Sequence, residues 1–172
     1  MRLIKFALLG LVVLFVVMTA LSLMFPSNIR IARSINVPAD RRSEVFAAVS
    51  DLGAWKAWND FVYRASLTNI RYSSPSAGAG AFLRSDQLRI EEKQADTAGV
   101  KFEWKMFNGK QFAGGFQFFP ADPDSLTVQW WFDFHFRWYP WEKLGIFVYD
   151  RKLGPAMEES LGALQRFVEN PR

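Results

Sequence analysis

The chain has no cysteine and a single histidine, His135. Without cysteine it can form no disulfide, thiolate nucleophile or cysteine-ligated metal site. A lone histidine lacks the clustered partners of a zinc or iron centre, so no metal or cofactor is expected. A large excess of charge of one sign is also lacking. Of the 21 basic residues, Arg2 and Lys5 lie in the opening segment, leaving 19 against 17 acidic ones, so no nucleic-acid partner is expected. Repeats and low-complexity tracts are absent. The run Gly78-Ala79-Gly80 lacks the strand-turn-helix context of a nucleotide loop. The string GGFQFF at 114–119 lacks the leading basic residue of an RNA-binding strand.

What the chain has in quantity is apolar and aromatic. Residues 6–25 carry no charge, and at helical rise they cover roughly 30 Å of hydrocarbon. This predicts a single transmembrane helix within an N-terminal anchor, residues 1–26, followed by one domain, residues 27–172. Arg2 and Lys5 favour a cytoplasmic N-terminus. The expected localisation is therefore the inner (plasma) membrane, single-pass, with the domain on the extracytoplasmic side. Arg30, Arg33, Arg41 and Arg42 pull the other way. A signal peptide cleaved near Ala20 and Ser22 is the alternative.

The rest of the 172 residues suits one domain, and its 17 Phe and 7 Trp give it a large apolar volume to fill or to line. Ile29, Ile31, Ile35 and Val37 alternate as one face of a first strand that Pro38 ends. Asp40 is the expected N-cap of a helix with the stripe Val45, Phe46, Val49 and Leu52. Trp55 and Trp58 share a face on a second short turn. Strands are then expected at 65–72, 81–85, 88–94, 100–107, 110–120 and 126–138. Asn108-Gly109 reads as a type I′ hairpin turn, with positive φ at both positions. Short connections imply an antiparallel meander. Leu153, Met157, Leu161, Leu164 and Val168 form the stripe of a closing helix, which Gly154-Pro155 is expected to kink or restart. The fold class is α+β, a curved antiparallel sheet wrapped around a long C-terminal helix.

Residues 130–141, WWFDFHFRWYPW, show how the aromatics are used. Trp130, Phe132, Phe134, Phe136 and Trp138 fall on one strand face, with Trp131, Asp133, His135, Arg137 and Tyr139 on the other. The first set is read as inward, along with Phe102, Trp104 and Met106, and Phe116 and Phe118. Such faces either interdigitate as a solid core or line an apolar pocket. Asp133, His135 and Arg137 read as a solvated outer face rather than a catalytic group. Glu91, Glu92 and Glu103 with Lys93, Lys101 and Lys105 read as a salt-bridged outer surface. Asp60, Tyr63 and Arg64 are candidate polar groups at a pocket mouth.

Two strings, INVPADRRSEVFAAVSDLGAWKAWNDF (35–61) and GPAMEESLGALQRFVE (154–169), together with the element order over 29–169, resemble the START-like, or SRPBCC, superfamily. That superfamily includes polyketide cyclases and lipid-transfer domains. The resemblance implies a helix-grip fold enclosing a cavity for an apolar molecule. The expected lining residues are Trp58, Phe61, Phe102, Trp104, Met106, Phe116, Phe118, Trp130, Phe132, Phe134, Met157 and Leu161. The expected partner is an apolar small molecule or lipid, bound by a membrane-anchored, non-catalytic domain. One alternative is a cyclase or dehydratase-like enzyme, with a carboxylate, Tyr or His transferring protons inside the cavity. Another is a structural domain with a filled core, whose exposed Trp131 and Tyr139 mark a protein interface.

Overall fold

The computed structural model describes residues 2–24, 26–64, 67–137 and 139–169. An apolar helix, α1 (Arg2–Met24), leads into strand β1 (Asn28–Pro38), a 3₁₀ turn (Ala39–Arg41), α2 (Arg42–Ser50), a second 3₁₀ turn (Ala54–Ala57) and α3 (Asp60–Tyr63). Six strands follow: β2 (Arg71–Tyr72), β3 (Phe82–Arg84), β4 (Leu88–Asp96), β5 (Gly99–Met106), β6 (Gln111–Asp122) and β7 (Ser125–His135). The closing helix α4 spans Pro140–Glu169. The sheet is antiparallel, in the order β1-β7-β6-β5-β4-β3-β2, and it packs on α4 in a helix-grip arrangement. By length and composition, α1 can cross a bilayer, and its apolar side chains are mostly exposed.

Period-two patterning sets the sheet's two faces. On β7, Leu126, Val128, Trp130, Phe132 and Phe134 point inward, against Met157, Leu161, Leu164 and Val168 of α4 and the buried rings Trp55 and Trp58. The edge strand β1 is tied to α4 by Arg33, whose guanidinium donates to Asp150 (2.9 Å) and Glu158 (2.7 Å). Gly154 makes that approach possible, because a Cβ there would lie 2.3 Å from Arg33 Nη2.

Several local expectations are corrected. Asp40 caps nothing, since it lies inside the first 3₁₀ turn and Arg41 occupies the cap position. The strand expected at 65–72 shrinks to Arg71–Tyr72; residues 65 and 66 lie outside the described residues, and Asn69 has a positive φ of 54°. The 106–111 hairpin has one positive φ, at Gly109 (85°), and Gly109 N–H donates to Met106 O (3.0 Å). It is thus a turn closed by a glycine bulge, which needs one left-handed residue where type I′ needs two. α4 runs unbroken through Gly154-Pro155, because Met157, Leu161, Leu164 and Val168 keep its far half packed on the core while Pro155 stays at the surface. β7 ends at His135, and Trp138 lies outside the described residues.

Candidate functional site

The inward aromatics of β5, β6 and β7 interdigitate. Phe132 is fully buried, and its ring centroid lies 5.1 Å from Trp104, 5.4 Å from Trp130, 5.5 Å from Phe61 and 5.6 Å from Phe112. Trp55 joins the block through Phe102 at 5.0 Å, and Phe116 stacks on Trp130 at 5.2 Å. These spacings are those of tilted and edge-to-face ring packing. Gly114 is part of the device. It faces Phe132 across β6 and β7, and a Cβ there would meet ring carbon Cδ1 at 2.4 Å. The expected lining residues Trp58, Phe102, Trp104, Phe116, Phe118, Trp130, Phe132, Met157 and Leu161 are buried in the core, with Phe61 and Met106 packed against it. Large rings on adjacent strands and on α3 pack against one another across this block.

Open volume lies at one end of this block. A pocket of about 660 Å³ sits among the β5–β6 hairpin, the end of β7 and the first turns of α4. Its aromatic lining is Phe112, Phe134, Phe136 and Tyr149. Of the expected lining residues, Phe134 reaches it. The packed core forms its floor, since Phe112 stacks on Trp104 at 5.9 Å and contacts Phe134 at 4.9 Å. Polar groups ring the opening. Lys110 Nζ donates to Tyr149 Oη at 2.7 Å, and Glu142 accepts the Arg137 backbone N–H at 2.9 Å. His135 Nδ1 is hydrogen-bonded to Asn28 Oδ1 at 2.7 Å. His135 and Arg137, read as outer-face groups, thus reach the pocket's edge, because the strand ends there and the chain turns toward α4.

The other polar candidates lie elsewhere. Tyr63 hydrogen-bonds Tyr72, and burial together with that bond pushes its phenol pKa up. Arg64 pairs with Glu159. Neither residue, nor Asp60, lines this pocket. Glu91 and Glu103 do form the outer charged surface, with Arg89, Lys93 and Lys105. Glu92 does not. As the neighbour of Glu91 it must point to the opposite face, and it is fully buried. Its Oε2 accepts Gly78 N–H at 3.1 Å while Oε1 has no partner among the described residues. Burial raises its carboxyl pKa above the ordinary glutamate range, and the Gly78 bond opposes this only in part. Trp131, expected as an exposed interface residue, is only 5% exposed, because the Arg30 guanidinium lies 4.4 Å above its ring while gripping Asp133.

Missed by the sequence reading were Lys110, Phe112, Glu142 and Tyr149 as pocket residues, whereas Phe136 was already on the inward face. Phe112 shares the inward parity of Phe116 and Phe118, and Tyr149 lies one turn before Leu153 on the α4 stripe, so both carried a usable signal.

A family model described as polyketide cyclase / dehydrase and lipid transport matches residues 28–169. The chain belongs to this family. No curated protein matches the chain. Among solved structures, the polyketide cyclase / dehydrase and lipid transport domain is similar to norcoclaurine synthase from Thalictrum flavum, solved in complex with dopamine and hydroxybenzaldehyde. The two share 15% identity with a TM-score of 0.58, over 84% of this chain and 88% of that one. It is similar as well to SA2116 from Staphylococcus aureus, a protein of unknown function, with 15% identity and a TM-score of 0.58 over 83% and 95% of the two chains. DynU16, from the dynemicin biosynthetic locus, gives 17% identity and a TM-score of 0.53; 86% of this chain is covered, but it spans only 49% of DynU16. At these identities the likeness is one of fold, and function has to be argued from the pocket.

Proposed function

We propose that the chain is a membrane-anchored binding domain that holds a lipid or other apolar small molecule in the pocket beside α4. The observation that carries this reading is the aromatic wall of Phe112, Phe134, Phe136 and Tyr149 around about 660 Å³, a volume in the range of small-molecule sites. Lys110, Arg137 and Glu142 at the opening suit a ligand with an apolar body and a polar head. The anchor is α1, whose span Leu3–Met24 is long and apolar enough to cross a bilayer. Arg2 and Lys5, in its first turn, favour a cytoplasmic N-terminus and so the domain on the extracytoplasmic side of the inner membrane.

The pocket's position supports loading from the bilayer. Phe136 N–H donates to Ser27 O at 2.8 Å, and Asn28 pairs with His135. The pocket's β7 wall therefore adjoins the segment that leaves α1. The test is native mass spectrometry of the full chain in nanodiscs titrated with a lipid extract. A stoichiometric apolar adduct is expected, and its absence overturns the reading.

One observation favours a catalytic reading of the same pocket. Lys110 Nζ and Tyr149 Oη, 2.7 Å apart at the pocket's edge, are within the reach that proton transfer requires. Lys110→Met separates the two, since a binding domain keeps its adduct and an enzyme loses turnover.

A further inference from the structure

The sheet end that carries the pocket also carries an unbalanced pair of arginines. Arg71 and Arg84 sit directly opposite each other on β2 and β3. Like charges in that position repel. Both are exposed, and neither has a carboxylate partner among the described residues. Their strand neighbours differ in this respect: Arg89 is paired with Glu91, and Lys105 with Glu103. The two arginines border a polar pocket of about 450 Å³ with Asn69, Ser85, Asp86 and Phe107. Asp86 is engaged by Thr68 Oγ1 (2.8 Å) and Asn69 Nδ2 (2.7 Å). Phe107 is 59% exposed, with the Arg84 guanidinium 5.8 Å from its ring.

Strand register shows where this feature lies relative to α1. Asn28 pairs with His135, Asp133 with Ala113, Gln111 with Lys105, Met106 with Leu88, Arg89 with Arg84, and Arg84 with Arg71. The start of β1, the β5–β6 hairpin and the arginine pair are therefore all at one end of the sheet. Between Met24 and Asn28 the chain can reach only about 14 Å. The start of β1 is held close to whatever surface α1 enters, and the arginine pair lies at the same strand end, toward the opposite edge of the sheet. Lys110 and Arg137 add positive charge there, with Glu142 as a counter-charge. The hairpins at the opposite end carry Asp96, Asp122 and Asp124, with Arg41 and Arg42 beside them after β1.

We infer that this end of the sheet docks on the bilayer that holds α1, with Arg71 and Arg84 gripping anionic phospholipid headgroups and Phe107 entering the interface. The inference rests on α1 being a membrane anchor. Guanidinium groups match phosphate oxygens through paired N–H donors, and an aromatic ring is suited to the headgroup layer. Docking turns the opening of the aromatic pocket toward the membrane surface, the source of an apolar ligand.

The absence of cysteine makes a clean test available. Gln87→Cys in the turn beside Phe107, and Ala121→Cys at the opposite end, each give the full chain one thiol for an environment-sensitive fluorophore. The chain is placed in nanodiscs of phosphatidylcholine alone or with phosphatidylglycerol. The Gln87 label is expected to shift to the blue only with the anionic lipid, and the Ala121 label to stay unchanged. Adding Arg71→Gln and Arg84→Gln should abolish the shift. A basic side chain at an anionic surface contributes about 1 kcal/mol, so each loss lowers the docked-to-undocked ratio about fivefold. A Gln87 signal indifferent to lipid charge, in a chain that resists alkaline carbonate extraction, overturns the docking and leaves the anchor standing. Release of the chain by carbonate overturns both.

Discussion

Replacing Glu92 by glutamine should stabilise the protein, and only above the acid range. The carboxyl is fully buried, has one hydrogen bond from Gly78 N–H at 3.1 Å, and leaves Oε1 without a partner among the described residues. Burial raises its pKa. Below the ordinary glutamate value, about 4.3, folded and unfolded chains both hold the proton and the group costs no ionisation energy. As pH rises, the unfolded chain releases its proton first. Stability therefore falls between the ordinary value and the raised one, then stays level above it. Glutamine keeps the acceptor for Gly78 N–H and the shape of the side chain, but never ionises. Glutamine leaves the Oε1 position without a partner too, so it removes only the cost of ionising the carboxyl, about 1.4 kcal/mol for each tenfold change in proton affinity that burial imposes. The gain should be fully present at pH 8 and almost absent at pH 4. For a chain of this size it would raise Tm by about 2–4 °C per kcal/mol. Urea unfolding of the full chain in detergent, followed by tryptophan fluorescence at both pH values, measures the difference at constant m. Equal or lower stability of the variant at pH 8 would refute the argument, since Oε1 would then have a partner that matters.

Two further substitutions test whether the aromatic block is solid. Phe132→Ala removes a fully buried ring held by Phe61, Trp104, Trp130 and Phe112, and should cost about 3–5 kcal/mol of unfolding free energy in the same assay. Gly114→Ala should cost about 1–3 kcal/mol or more by overpacking, because its Cβ would meet Phe132 Cδ1 at 2.4 Å and Trp104 Nε1 at 3.0 Å. A neutral result for either would mean that the rings enclose free space.

The fold was largely legible because its signals are local and repeated. Alternation on β7 separates Trp130, Phe132 and Phe134 from Asp133 and His135, and the α4 stripe from Leu153 to Val168 is unmistakable at helical period. Alternation alone places Glu92 inside, since it cannot share a face with Glu91. Other features depend on contacts distant in sequence. Arg33 reaching over Gly154 to Asp150 and Glu158 has no local signature. The site was less legible for the same reason. Inward-facing aromatics are equally compatible with filling a core and lining a cavity, and only ring-to-ring spacing distinguishes the two. The pocket itself is lined by three separate segments, the 106–111 hairpin, the end of β7 and the first turns of α4, a juxtaposition with no local signature.

The central claim is that an apolar molecule binds at the end of the aromatic block, against Phe112, Phe134, Phe136 and Tyr149. Photo-crosslinking from position 149 tests it most directly. A benzophenone amino acid in place of Tyr149, in the full chain within native membranes, should capture an apolar small molecule. The same group in place of Gln129, on the outer sheet face, should capture none. Adducts of a lipid or other apolar compound at 149 alone are predicted; labelling at neither position, or equal labelling at both, would contradict the account.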